Sequence, residues 1–402
     1  MKINPINVRN PSLDFTEELN VFAEYQLDSC FGDGDCMRVC PVVDQNLTIA
    51  ELNECTIDNN PLTEAVKKFT FDCIQCGECT VACPAGVQRD VLMIKLKQKA
   101  IANETPKHHF SYYKAKGISG WNPHKPEKKS FGKELVIKGF NLMAGSKLGR
   151  LRQHVDKTTF KSCDTLIYFG CYIFSHTGVQ FKTLDIADKL GLNYEVLGGL
   201  KSCCGWPQLM GGRIEEAELL HRYVADVIDD IGPKEIVTGC MECFASLKRM
   251  IQLKHTKWKV LTTSQWLLGH IDELGAKETG EMITFHDSCH CTRKLGLANP
   301  ARALLSKMYA LREMEPNREK ALCCGYYNFK VNPKLNAGIT QKKMDMAKAT
   351  GAKTMAVECV TCLESYEKVA EENDIRVTDL VDLVHENTIM SESEKGQPDK
   401  NK

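Results

Sequence analysis

Seventeen of the chain's twenty cysteines fall into four groups whose spacing suits metal ligation. Two groups are dense. Cys73-x2-Cys76-x2-Cys79-x3-Cys83-Pro84 places three thiols close enough to wrap one corner of a cubane iron–sulfur cluster, with a fourth just beyond. Cys30-x2-Asp33-x2-Cys36-x3-Cys40-Pro41 repeats that spacing, with Asp33 where the second cysteine belongs. The other two groups are long and matched. Cys171, the pair Cys203–Cys204, and Cys240 with Cys243 recur as Cys289, Cys323–Cys324, and Cys359 with Cys362, at offsets of 118, 120, 119 and 119 residues. Thiolates are soft ligands for iron and zinc. The N-terminus MKINPINVRNPSLDF lacks the charged-then-apolar pattern of a secretory leader, so the expected setting is the reducing cytoplasm, where disulfides are rare.

The run from Cys73 to Cys83 is that of bacterial ferredoxins, in which the fourth cysteine ligates the other cluster. This crossed pattern assigns Cys73, Cys76, Cys79 and Cys40 to one [4Fe–4S] cluster, and Cys30, Cys36 and Cys83 to a second. Two readings of Asp33 stay open. It is a carboxylate ligand, harder than thiolate and so a loose holder of the fourth iron, or a solvated residue of the GDGD loop beside a [3Fe–4S] cluster. A zinc site would instead pair two Cys-x-x-Cys units across a loop. The 32 residues between Cys40 and Cys73 exceed the needs of a compact ferredoxin. Their helix-like filler resembles the helical ferredoxin domain of fumarate reductase iron–sulfur subunits; Cys55, within it, reads as structural.

Three blocks position these cysteines. Residues 15–100 form the ferredoxin-like block, with an N-capped stretch from Thr48 to Leu52 and a helix start near Pro61. Residues 101–160 are basic and free of cysteine, with a short amphipathic helix expected over FGKELVIKGFNLMAG. The remainder is an internal repeat, 161–275 and 280–388, followed by a polar tail expected to be disordered, 389–402. Each repeat opens on a strand-like run (TLIYFGC, ITFHDSC), continues through a helix (FKTLDIADKLGL, PARALLSKMYAL), the Cys-Cys-Gly and another helix, and returns on a strand to Cys-x-x-Cys (EIVTGCMEC, TMAVECVTC). Such alternation predicts α/β modules with cysteines on loops at strand ends.

The spacings Cys-x31-Cys-Cys-Gly-x34-Cys-x2-Cys and Cys-x33-Cys-Cys-Gly-x33-Cys-x2-Cys resemble the cysteine-rich CCG domains of the catalytic half of heterodisulfide reductase, over about residues 165–385. The order of blocks is similar to a fused two-subunit form of that enzyme. The resemblance implies a helical ferredoxin domain followed by tandem α/β CCG domains. It also implies a non-cubane [4Fe–4S] cluster on each five-cysteine set: Cys171, Cys203, Cys204, Cys240 and Cys243, then Cys289, Cys323, Cys324, Cys359 and Cys362. Gly205 and Gly325 follow each pair where a side chain would crowd the site and positive φ is expected. A zinc site built from a Cys-x-x-Cys and one further cysteine stays open as the rival. Around the paired cysteines, His286, His290, Arg293, Trp206, Tyr326 and Tyr327 are candidates to shape a substrate pocket. Arg293, Arg213 and Lys330 are candidates to bind carboxylate or phosphate; packing and hydrogen bonding to the ligand loops are the other reading for each. We take Cys203, Cys204, Cys323, Cys324, His290 and Arg293 as the expected catalytic set. Cys163 and Cys291 fall outside the pattern.

Net charge is zero, but Lys95 to Lys161 carries 16 Lys+Arg against 4 Asp+Glu. This stretch reads as a solvated linker or as a dock for an acidic partner or an anionic membrane face. No run approaches the roughly 18 apolar residues of a spanning helix, so membrane association would go through a partner. No dinucleotide fingerprint is present, so flavin or haem must come from partner subunits. Nucleic-acid binding lacks a reader motif. The resemblance implies an electron wire ending in a thiol–disulfide site; in methanogens the substrate of the enzymes it resembles is the mixed disulfide of coenzymes M and B. The alternative is an electron relay within another complex, such as those of flavin dehydrogenases for glycolate, lactate or glycerol 3-phosphate, or confurcating and membrane complexes of anaerobes.

Overall fold

The computed structural model describes residues 15–43, 46–102, 150–155, 157–174, 176–199, 201–254, 256–328 and 332–390. The helix expected over FGKELVIKGFNLMAG, most of the basic stretch, Lys330 and most of the polar tail lie outside them.

The first block is helical: α1 (Phe15–Asp28), α2 (Asp35–Arg38), α3 (Ile49–Thr56), α4 (Glu64–Asp72), α5 (Glu78–Ala82) and α6 (Arg89–Ala102). Local chemistry sets two of the starts. The Thr48 hydroxyl accepts from Glu51 N–H at 3.1 Å and the Thr63 hydroxyl from Val66 N–H at 3.2 Å, satisfying helix-end donors that have no partner within their own helix. Leu52, Cys55, Val66, Phe69, Met93 and Leu96 pack between α3, α4 and α6 as a small core.

The repeat forms two parallel four-stranded sheets. In the first half, β1 (Thr165–Gly170) leads to α7 (Thr177–Lys189) and β2 (Tyr194–Gly198), followed by α8 (Trp206–Met210) and α9 (Ile214–Ile231). Then come β3 (Glu235–Thr238), α10 (Met241–Lys254), β4 (Lys259–Thr262) and α11 (Thr263–His270). The second half follows the same plan: β5 (Met282–Phe285), α12 (Pro300–Leu305), β6 (Ala310–Arg312), α13 (Pro333–Ala349), β7 (Thr354–Val357), α14 (Val360–Glu372), β8 (Arg376–Asp379) and α15 (Leu380–His385). Strand orders are β2-β1-β3-β4 and β6-β5-β7-β8, all pairs parallel. Strand order reverses beside the first strand of each half, the place where open α/β sheets bind ligands at the carboxyl ends of their strands.

Each half has four strands where the sequence pattern indicates two. The run PARALLSKMYAL also divides: its first half is α12, while Ala310–Arg312 pairs with β5 as an edge strand. A three-residue strand with two exposed side chains carries no period to read.

The halves pack about an approximate twofold. The first α-helix of each lies against the last of the other, α7 on α15 and α12 on α11. Lys182 pairs with Asp382 at 2.8 Å, His385 Nε2 lies 3.2 Å from Asp185, and the Glu358 carboxylate accepts from Ser264 N–H at 2.7 Å at the start of α11. No helix among the described residues is long and apolar enough to cross a membrane.

Candidate functional site

All ten cysteines of the repeat sit at the carboxyl ends of strands. Cys171 follows β1, Cys203–Cys204 lies in the loop after β2, and Cys240 follows β3 with Cys243 in the first turn of α10. Cys289, Cys323–Cys324, Cys359 and Cys362 hold the matching places after β5, β6 and β7. The thiols are arranged in the same order in both halves. Cys203 contacts Cys171 and Cys204, Cys243 contacts Cys204 and Cys240. Likewise Cys323 contacts Cys289 at 3.7 Å and also Cys324, and Cys362 contacts Cys324 and Cys359. Gly205 (φ 73°) and Gly325 (φ 70°) are in the left-handed region; an added Cβ would come within 3.0 Å of Ala217 O and 3.1 Å of Asn336 Nδ2 respectively. The Cys-Cys-Gly turns therefore accept only glycine without strain.

The two sets face one another across the twofold. The main-chain N–H of Met241 donates to Cys359 Sγ, linking the two Cys-x-x-Cys turns. Glu242, between Cys240 and Cys243, is buried at the junction. Burial, and then the thiolates of Cys359, Cys204, Cys171 and Cys289, drawn from both sets, raise its carboxyl well above the usual range. Its Oε1 accepts from the Tyr327 hydroxyl at 3.3 Å and lies 4.0 Å from His290 Nε2. His290 is itself buried, which holds it well below the usual histidine range, and it packs edge-on against Trp206 with ring centroids 5.3 Å apart. Glu242 escaped sequence reasoning. Its one signal was an acid inside CMEC where the second copy has CVTC.

Other candidates are placed elsewhere. Arg293 donates to the main-chain carbonyls of Glu319 (2.7 Å), Ala321 and Cys76 (2.6 Å), so its guanidinium fastens loops together beside Cys76, Cys289 and Cys323. Arg213 pairs with Glu216 at the start of α9. Tyr326 donates to Glu364 at 3.0 Å, and His286 is buried edge-on to Tyr366. Cys55 and Cys291 lie buried with their thiols on the Pro61 and Leu297 carbonyls, each at 3.4 Å, and Cys163 is a core residue.

In the helical block the structure brings together the residues the crossed pattern joins. Cys40 neighbours Cys73 and Cys76, and Cys79 neighbours all three. Cys36 neighbours Cys83 and Cys30. The two binding loops share one backbone form, with positive φ at Gly32 and Gly34 in the first and at Gln75 and Gly77 in the second. Asp33 thus occupies the place of Cys76. Its carboxylate is exposed and accepts from Asp35 N–H at 2.8 Å. Burial pushes the Cys76 thiol up to about 12 and Cys79 well above its usual value. Such buried thiols ionise only when a metal takes the place of the proton, so the donor set fits thiolate-bound iron. Cys76 also adjoins Cys289 and Cys323, placing this loop beside the second five-cysteine set. Among the described residues no three His, Cys, Asp or Glu side chains converge on a single-ion site.

Comparison with known proteins agrees with this layout. Residues 23–84 match a 4Fe-4S dicluster domain, and residues 158–248 and 283–365 each match the cysteine-rich domain family. The chain is similar to a subunit of the dihydromethanophenazine:CoB--CoM heterodisulfide reductase of Methanosarcina barkeri, at 24% identity over 94% of this chain and 98% of that one. It also resembles a subunit of the fumarate reductase (CoM/CoB) of Methanothermobacter marburgensis (22%, 89% of this chain, 72% of that one) and lactate utilization protein A 1 of Bacillus cereus (27%, 44% and 78%). The chain is an iron–sulfur oxidoreductase with a dicluster domain ahead of two cysteine-rich domains, similar over nearly its whole length to a heterodisulfide reductase subunit.

Proposed function

We propose that this chain cleaves or forms a disulfide between two small thiols in the space between its two five-cysteine sets, exchanging electrons with a partner through the dicluster block. The observation that carries the reading is Glu242, buried among thiols of both sets and bonded to Tyr327. Cleavage of a disulfide RSSR′ consumes two electrons and two protons and gives RSH and R′SH. Cys171, Cys203, Cys204, Cys240 and Cys243 would hold one non-cubane cluster, and Cys289, Cys323, Cys324, Cys359 and Cys362 the other. Cys73, Cys76, Cys79 and Cys40 would hold one ferredoxin-type cluster, and Cys30, Cys36 and Cys83 its neighbour. When bound, these clusters supply one-electron chemistry, two facing ones making up the pair that a disulfide requires. Glu242, bonded to Tyr327 and 4.0 Å from His290, which packs against Trp206, would hold a proton between the two sets. The electron partner carries flavin or haem, and the setting is the cytoplasm.

The similarity to the fumarate reductase (CoM/CoB) protein and to lactate utilization protein A 1 favours a second reading, in which the chain relays electrons in a complex with another substrate. Anaerobic purification with iron counting, then assay with reduced viologen and a mixed thiol disulfide, separates the two. About 15 to 16 irons per chain with turnover supports disulfide chemistry; the same iron without turnover leaves the relay.

A further inference from the structure

Arg89 opens α6, six residues beyond Cys83, and no sequence motif marks it. It is buried, with 3% of its surface exposed, and among the described residues no carboxylate pairs with it. Its Nη2 donates to Asn53 Oδ1 at 2.6 Å and lies 3.7 Å from Cys30 Sγ. The guanidinium also adjoins Cys36, while Asn53 Nδ2 donates to Cys30 Sγ at 3.3 Å. Two of its donors, Nε and Nη1, have no partner in the protein.

A buried guanidinium without an anion costs several kcal/mol, and each unmade hydrogen bond adds to the cost. Something anionic belongs against it. Cys30 and Cys36 stand against it, with Cys83 beside Cys36, and a thiolate-bound iron–sulfur core is both negatively charged and rich in sulfur acceptors. Asp33 does not fill this role: its carboxylate is exposed and occupied by the main chain of its own loop. Asn53 fixes the fork, since it accepts from Arg89 and donates to Cys30 at once.

We propose that Arg89 is a positioning residue that sets the potential of the cluster held by Cys30, Cys36 and Cys83, its charge and free N–H donors favouring the reduced form. Reduction adds negative charge to a cluster, and a fixed cation with hydrogen bonds to its sulfurs stabilises the more negative state, raising the potential. The other ferredoxin-type site has cations of its own, Lys97 on the Cys73 carbonyl at 3.0 Å and Arg293 and Lys294 beside Cys76. The inference depends on reading Cys30, Cys36 and Cys83 as ligands of one cluster.

The test is a redox titration of the full anaerobic chain followed by paramagnetic resonance, reading each ferredoxin-type signal separately, in Arg89→Gln and Arg89→Lys. Arg89→Gln keeps a donor and removes the charge; Arg89→Lys keeps the charge and removes the fork. The expected result, at unchanged iron content, is a lower midpoint for the Cys30 cluster. The reduced-to-oxidised ratio at fixed potential should fall at least tenfold in Arg89→Gln, about 59 mV for one electron, and less in Arg89→Lys. The Cys73 cluster, whose cavity Arg89 also lines but whose thiols it does not bond, should shift less than the Cys30 cluster. Midpoints unchanged in both variants overturn the proposal. Loss of the Cys30 signal from both, with the Cys73 signal kept, also overturns it and leaves Arg89 a residue of assembly. A wild-type chain without a second ferredoxin-type signal overturns the ligand reading itself.

Discussion

Arg293 donates from Nη1 to the main-chain carbonyl of Cys76, 217 residues earlier, at 2.6 Å. The bond ties the ferredoxin-type loop to the segment that carries Cys289, and the same guanidinium holds two carbonyls of the loop before Cys323. A charged hydrogen bond contributes about 1.5–3 kcal/mol, and a carbonyl left buried without a donor costs as much again. Arg293→Met should therefore lower stability by at least 3 kcal/mol on this ~1.5–3 kcal/mol scale. It should also slow the step in which the five-cysteine sites are reduced after the ferredoxin-type sites. Stopped-flow absorbance with a viologen donor reads that step. A rate and a denaturation midpoint equal to wild type would show that the bridge does not set the docking.

A second tie joins the same surfaces. Lys294 and Asp90 pair at 2.9 Å and are both nearly buried. Burial acts to raise the Asp90 carboxyl, but Lys294 and the Thr80 hydroxyl hold it below the usual range. Burial acts to lower Lys294, but Asp90 holds it above. Asp90 thus contributes stability above its unfolded pKa, lost as pH falls through its lower folded value. Lys294 contributes below its unfolded pKa, lost as pH rises through its higher folded value. Between about pH 5 and 9 the pair should give a flat contribution. Asp90→Asn strands a buried ammonium, and the expected loss is about 3–5 kcal/mol across that window. Denaturant midpoints of the two chains should converge only in acid, below about pH 4. A gap that instead varied through neutral pH would point to another group.

How far the sequence was legible follows from the range over which each feature is encoded. The cysteines could be read because their spacings are short or repeated, and the helix cap at Thr48 because a cap acts within three residues. The strands Tyr194–Gly198 and Lys259–Thr262 were missed because each is short and its place is decided by pairing with a neighbour. Arg293 looked like an anion binder in HDSCHCTR, yet its partners lie 26, 28 and 217 residues away. Glu242 and Arg89 gave little or no signal for the same reason, since their roles come from burial against distant thiols.

Gly212 is one of the contacts through which the dicluster block meets the first cysteine-rich domain. Its φ is +79°, and an added Cβ would stand 2.6 Å from the Lys97 carbonyl carbon in α6. Main chain cannot swing aside as a side chain does. Gly212→Ala should therefore part the two surfaces and lower stability by about 2–4 kcal/mol, strain and overlap together. Gly275 has φ +72° with nothing within 4 Å of an added Cβ, so Gly275→Ala isolates the strain alone, about 1 kcal/mol. Thermal unfolding of both variants, with limited proteolysis to detect release of the block, measures the difference. Equal losses in the two would mean that contact at Gly212 contributes nothing.

Asp33 offers the sharpest change of iron content. Its loop has the same alternation of positive φ as the loop of Cys76, so a thiol placed there inherits a backbone already shaped to present it. The side chain is exposed, and its present bond to Asp35 N–H is a local turn whose loss costs about 1 kcal/mol. Asp33→Cys should then complete a four-thiolate set with Cys30, Cys36 and Cys83. If the wild-type site holds three irons, the variant should gain about one iron per chain and lose the paramagnetic signal of the oxidised three-iron form. If Asp33 already holds a fourth iron, the count should stay fixed. The potential should then fall, because a thiolate donates more electron density to iron than a carboxylate does. Iron analysis beside a redox titration tells these outcomes apart. An unchanged spectrum, potential and iron count would mean that the side chain at position 33 does not reach the cluster.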